Sequence, residues 1–293
     1  MEFGIVLHGS GVVDFARAME ELREAGFRHF EYSYEHVATM ERNGGSSKMR
    51  EAADLAESLG LLPAQLHGPS LERGCDLGNP DPKVRRRSVE RSCRWIEYCA
   101  ELRVPVMVEH PSEFHPDFDK TMELVKSSFR EVARCAEEHG VKVALENEFD
   151  PRHMVTTRGG RTMVIPPRVG CTISELSDVI RAVDSGSLGI CLDLGHANLQ
   201  RPLFSISQAI REAGSLLIAT HLHDNMGWND DHLLPLQGNI PWSDVIEAFR
   251  EIHYQNPLIL EIGGLSVPDE QVRTNRLRLA RLVAEDLSST AES

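Results

Sequence analysis

The segment THLHDNMGWNDDH, residues 220–232, holds three histidines and three aspartates. Imidazole and carboxylate are donors that hold divalent transition metals, although a polar surface turn explains one such segment equally well. Other apolar runs decide between these readings, because they too close on the same residue types. His67 closes LLPAQLHG, His110 closes VPVMVEH, Glu146 lies in VKVALENE, and Asp193 with His196 lies in LGICLDLGH. His221 and His223 close LLIATHLHD, Glu261 lies in PLILEIGG, and Asp230, Asp231 and His232 follow the seventh run. Singly, each has a plain structural explanation, such as a histidine satisfying a loop carbonyl. Gathered at one mouth, several buried acids are costly unless a cation neutralises them. With no cysteine among the candidates, the set suits Zn²⁺, Mn²⁺, Fe²⁺ or Co²⁺ rather than a structural thiolate zinc site.

Positioning these groups together requires strands whose ends share one face. Short apolar runs alternate with segments of helical period along the whole chain. The strands are predicted at 4–9, 29–34, 61–68, 104–110, 141–148, 188–196, 216–224 and 257–264. The helices are predicted at 15–26, 46–59, 83–102, 117–139, 173–184, 204–214, 241–253 and 268–287. Thr172 to Glu175 and Ser266 to Asp269 have the form of capping boxes. Eight alternations with no Gly/Ser-rich or proline-rich linker imply an α/β protein, a single-domain (β/α)8 TIM barrel over 1–293, with a doubly wound open sheet as the alternative. Barrel active sites lie at the C-terminal strand ends, where the polar residues are.

The longest irregular stretch, 149–171, carries Arg152, Arg158, Arg161 and Arg168 and reads either as a lid over an anionic substrate or as an oligomer contact. The basic run KVRRRSVERSCR at 83–94 reads as a solvated helix face. With 31 Lys and Arg against 45 Asp and Glu, the net charge is −14, which disfavours nucleic acid and anionic membrane as partners. No run reaches the roughly 18 apolar residues of a membrane span. The six cysteines form no CxxC pair, and residues 1–7 lack the features of a signal peptide, so reduced thiols and a cytoplasmic location are expected.

Taken together, LHGPS (66–70), VEHP (108–111), LENE (145–148), CLDLGHA (191–197), THLHDN (220–225), DDHLLPLQGNIPW (230–242) and LEIGG (260–264) resemble the xylose isomerase-like TIM barrels. That family includes endonuclease IV and many sugar isomerases and epimerases. The endonuclease IV branch implies three metals. His67, His110 and Glu146 would hold the first, and Glu146 would bridge to a second held by Asp193, His221 and Glu261. His196, Asp230 and His232 would hold the third. His223 stays an alternative to His221, and is the alternative match in the ketose epimerase branch.

Two chemistries remain open. In a sugar or sugar-phosphate isomerase or epimerase, one Zn²⁺ or Mn²⁺ on Glu146, Asp193, His221 and Glu261 would polarise a carbonyl. Glu146 and Glu261 would then move the proton, and His196 would hold a substrate hydroxyl. The epimerase branch carries an arginine where this chain has Gly227, Trp228 and Asn229. In a metal-cluster phosphoesterase all three ions would act, and a small phosphate ester fits the charge better than DNA. The resemblance also implies a possible homodimer.

Overall fold

The computed structural model describes residues 1–289 other than 8, 10, 150–155, 159–160, 164–167 and 201–204. Eight parallel strands run in the order β10-β1-β2-β3-β4-β5-β8-β9. They are β1 (Phe3–Leu7), β2 (His29–Tyr32), β3 (Leu62–His67), β4 (Val106–Glu109), β5 (Lys142–Glu146), β8 (Leu188–Asp193), β9 (Leu217–His221) and β10 (Leu258–Leu260). Leu222 closes the ring against β10: its amide donates to Ile259 O at 2.7 Å, and Glu261 N donates to Leu222 O at 2.9 Å. The architecture is the expected TIM barrel, and the open-sheet alternative falls with that closure.

The helices wrap the outside: α1 (Phe15–Glu24), α2 (Tyr34–Gly44), α3 (Ser46–Ser58), α4 (Pro82–Glu101), α5 (Phe118–His139), α6 (Ile173–Val183), α7 (Leu194–Leu199), α8 (Ile206–Ala213), α9 (Trp242–Glu251) and α10 (Glu270–Ser289). Their apolar faces and the outer face of the sheet form the large core. A smaller cluster of Val106, Val108, Ala144, Cys191 and Ala219 packs separately. These residues precede His110, Glu146, Asp193 and His221 by two or four positions, so period-two alternation puts them on the inward face beneath the polar strand ends.

Two helices depart from the expectation. α2 starts directly after β2 and is divided from α3 at Gly44 and Gly45, both at positive φ (153° and 56°) that side chains disfavour. α7 begins inside the segment expected as strand, because Asp193 ends β8 and caps the helix by accepting from His196 N at 2.7 Å. The Thr172 cap is present, accepting from Glu175 N at 3.2 Å. The expected box at 266–269 is not: Asp269 accepts from Val272 N, while Ser266 accepts from Gly9 N.

The expectation of six reduced thiols is corrected at one pair. Cys93 on α4 and Cys135 on α5 are joined, with Cα atoms 5.6 Å apart. They lie 42 residues apart in sequence, and only the packing of the two helices brings them within bonding reach. Cys75, Cys99, Cys171 and Cys191 are buried thiols outside any disulfide. The basic run on α4 is a solvated, paired face: Arg86 meets Glu90 and Glu131, and Arg91 meets Glu41 and Glu72. Among the described residues, no helix is long and apolar enough to cross a membrane. Within 149–171, an antiparallel pair β6 (Thr156–Arg158) and β7 (Arg161–Met163) interrupts the expected irregular stretch. The stretch read as either a lid or an oligomer contact, including Arg152, otherwise lies largely outside the described residues.

Candidate active site

The C-terminal strand ends converge on a pocket of about 550 Å³, lined in part by His67, His110, Glu146, His196, Asp230, His232 and Glu261. That volume suits a small-molecule ligand. His67, Glu146, Asp193 and His221 are the last residues of β3, β5, β8 and β9. His110 follows β4, and Glu261 follows β10. Asp193, His221 and Glu146 form the buried floor, while Glu261 is 20% exposed toward the pocket.

Glu146 is the hub. Its Oε1 lies 2.7 Å from His221 Nδ1, and its Oε2 lies 3.1 Å from His110 Nε2 and 3.5 Å from His67 Nε2. His221 Nδ1 also approaches Glu261 at 3.5 Å and Asp193 at 4.0 Å. Donor atoms of Glu146, Asp193, His221 and Glu261 lie within 4.8 Å of one another, as do those of His67, His110 and Glu146. A third such group is His223, His232 and Glu261. The expected set of His196, Asp230 and His232 meets through Asp230, whose Oδ2 is 3.5 Å from His196 Nε2 and 3.1 Å from His232 Nε2.

His221 and His223 part company because β9 ends at His221. His221 faces Glu146, whereas His223 turns Nε2 to Asp193 at 3.2 Å and stacks on His232 with ring centres 4.0 Å apart. Gly195 makes room for it, since a Cβ there would sit 1.8 Å from His223 Cε1. Asp231 is exposed, and Asp224 is structural: it accepts from Leu236 N, Ile240 N and Trp242 Nε1, tying down the loop that carries Asp230 and His232.

Two carboxylates absent from the sequence-derived candidates complete the site. Glu31 on β2 is fully buried and lies 2.9 Å from His221 Nε2, held in turn by Gln65 Nε2 at 2.6 Å. Glu148 lies 2.8 Å from His110 Nδ1 and receives Arg168 Nη2 at 2.5 Å. Arg168 is therefore engaged at the site rather than free for an incoming anion. Glu31 was visible only as one acidic residue in an alternating strand, whose inward placement the closed barrel sets; Glu148 was visible only as part of LENE.

Five of the imidazoles share one orientation, His223 being the exception. His67, His196 and His232 direct Nδ1 to the carbonyls of Gly68, Asn147 and Glu261 (3.3, 2.9 and 3.0 Å), while His221 and His110 direct an outer nitrogen to Glu31 and Glu148. With the outer nitrogen donating its proton, the inner one shares a proton with the facing carboxylate and is the nitrogen that would yield it to a metal, as in metal-binding histidines. Glu146 Oε2, His223 Nδ1 and Asp230 Oδ1 are buried without a hydrogen-bond partner. Convergent inner nitrogens and poorly satisfied acceptors fit a divalent cation.

Electrostatics agree. Burial opposes charge on Glu146, but His221, His110 and His67 outweigh it and hold the carboxyl well below its usual range. Burial likewise opposes ionisation of Asp193 and is outweighed by His196 and His223. Burial lowers the His110 and His232 imidazoles, yet Glu148 and Glu146 lift His110 to about 10, and Asp230 and Glu261 lift His232 to about 9. The acids thus draw positive charge onto their neighbours, a demand that a bound cation would also meet.

The chain belongs to the xylose isomerase-like TIM barrel family, whose sequence model matches residues 19–282. Among individual relatives, it is 32% identical to the uncharacterized protein MJ1311 of Methanocaldococcus jannaschii over 184 residues, which cover 61% of this chain and 58% of that protein. It is 29% identical to the D-psicose 3-epimerase of Ruminiclostridium cellulolyticum over 73% of this chain and 68% of that one. The structure of D-psicose 3-epimerase with D-tagatose from Clostridium cellulolyticum H10 superposes with a TM-score of 0.77 at 22% identity, covering 98% of this chain and 99% of the other.

Proposed function

We propose that this barrel is a divalent-metal-dependent sugar isomerase or epimerase that moves a proton at the carbon next to a carbonyl. The carrying observation is the pair Glu146 and Glu261, which approach the same His221 nitrogen at 2.7 and 3.5 Å. The relatives support a sugar isomerase or epimerase, and the pocket has room for a monosaccharide. Glu146, Asp193, His221 and Glu261 would hold the cation, either Zn²⁺ or Mn²⁺. When bound, it supplies Lewis-acid stabilisation of negative charge developing on the substrate oxygen. Glu146 and Glu261 take and return the proton. His196, 8% exposed at the pocket with Nδ1 fixed by Asn147 O, offers Nε2 to a substrate hydroxyl. Trp228, in the stretch where the epimerase branch carries arginine, is 76% exposed, and Arg168 is engaged by Glu148. Substrate hydroxyls must therefore find other partners here.

The donor groups His67, His110, Glu146 and His223, His232, Glu261 favour a second reading, a metal-cluster phosphoesterase acting on a small phosphate ester. Metal content separates the two. About one tightly held ion per chain, retained in Asp230→Ala and His232→Ala, supports the isomerase. About three, falling in those variants, supports the phosphoesterase. Glu146→Gln abolishes activity in both, and a metal-free protein with full activity overturns both.

A further inference from the structure

The pocket floor has a lower level that the oxygen and nitrogen donors do not account for. Cys191 lies two residues before Asp193 on the same inward face of β8 and pairs in register with Glu146 on β5. Its side chain is fully buried. The thiol sulfur, a Glu146 carboxylate oxygen and a His221 ring nitrogen all lie within 4.8 Å of one another. Glu146 Oε2 approaches His110 Nε2 at 3.1 Å and His67 Nε2 at 3.5 Å without a well-formed hydrogen bond, so the hub carboxylate keeps an acceptor for a cation. Val106, Val108, Ala144 and Ala219 pack with Cys191, so the sulfur sits on an apolar base and opens toward Glu146 and His221.

We propose that Cys191, Glu146 and His221 form a deeper seat for a thiophilic divalent cation, an alternative to the oxygen-rich set that includes Asp193 and Glu261, because both draw on the one His221 nitrogen that Glu31 leaves available. The inference rests on the reading of the pocket as a cation centre and adds a sulfur ligand to it. On ligation the thiol proton passes to solvent, and the thiolate and the Glu146 carboxylate together balance a divalent charge. Sulfur ligation favours zinc and cadmium over manganese and magnesium, whereas the upper carboxylates favour the harder ions. Cys191 therefore biases this barrel toward softer metals.

The test is titration of the full chain, cleared of metal by chelator, with Cd²⁺ and Co²⁺ while recording sulfur-to-metal charge-transfer absorption in the ultraviolet. The wild type develops a saturable band that is absent in Cys191→Ser. Cd²⁺ affinity drops in that variant by about tenfold or more, the scale reached by supporting groups alone. Mn²⁺ affinity, read by competition, stays unchanged. Cd²⁺ uptake without a band in the wild type overturns the deeper seat and leaves the wider cation centre standing. So does a band that survives Cys191→Ser and thus belongs to another thiol. Failure to take up any of these ions overturns the seat and the centre together.

Discussion

Replacement of Glu31 probes how the site holds His221. The carboxylate never reaches the pocket; it is buried under the barrel mouth, 2.9 Å from His221 Nε2. Glu31→Ala leaves the His221 N–H without an acceptor, while the Gln65 amide keeps Thr220 O at 3.1 Å. One buried unsatisfied donor costs about 1–3 kcal/mol of stability. Glu31→Gln keeps the volume and an acceptor oxygen but removes the charge and sets an amide NH2 where Glu31 Oε1 has no partner, so it too loses about 1–3 kcal/mol. The effect on metal binding is more specific, because a carboxylate on the outer nitrogen fixes the tautomer and raises the basicity of the inner one. Loss of such a partner lowers affinity by about 10–100-fold, equivalent to about 1.4–2.7 kcal/mol. Chelator competition with Zn²⁺ measures the affinity, and urea unfolding of the metal-free protein measures stability. Wild-type Zn²⁺ affinity in both variants, alongside the stability loss in Glu31→Ala, would reduce Glu31 to a packing residue and refute the orientation argument.

Two other perturbations give separate readouts. Gly195→Ala forces a methyl group into the His223 ring, with overpacking of about 1–3 kcal/mol; thermal unfolding reads the loss, and an unchanged Tm contradicts the placement of that ring. Arg91 grips Glu41 with two hydrogen bonds of 2.6 Å between α4 and α2, and this pairing, against the opposing effect of burial, lowers the Glu41 carboxyl from 4.5. A depressed folded value contributes stability that is present above 4.5 and lost as pH falls through that lowered value. Glu41→Gln therefore costs about 1 kcal/mol at neutral pH, discounted for partial exposure, and the difference shrinks in acid. A wild-type-to-variant gap that is equally large at low pH refutes the assignment.

The barrel and most of the candidate site were legible because apolar runs ended on His67, His110, Glu146, Asp193, His221 and Glu261, and strand ends of a barrel share one face. What escaped depended on tertiary placement. Glu31 sits inside HFEYSY, where one acidic residue in an alternating strand reads as solvent-facing, yet barrel closure turns it inward. Cys191 was set aside with the other cysteines, although its position two before Asp193 marks the same face. The choice between His221 and His223 needed the end of β9, since alternation applies only while the strand lasts. The Cys93–Cys135 link needed the packing of α4 on α5, which spacing in sequence does not encode. α7 was hidden because Asp193 serves at once as strand end, site residue and helix cap.

The proposed function turns on proton transfer at a carbon next to a sugar carbonyl by Glu146 and Glu261. Its most direct test is incubation of the metal-loaded protein with ketoses and ketose phosphates in deuterium oxide, with NMR of the recovered sugar. Deuterium is expected at a carbon adjacent to the carbonyl, in the presence of wild-type protein and not of Glu146→Gln. Hydrolysis of phosphate esters by the wild type, with no carbon-bound deuterium in any ketose or ketose phosphate, would contradict it.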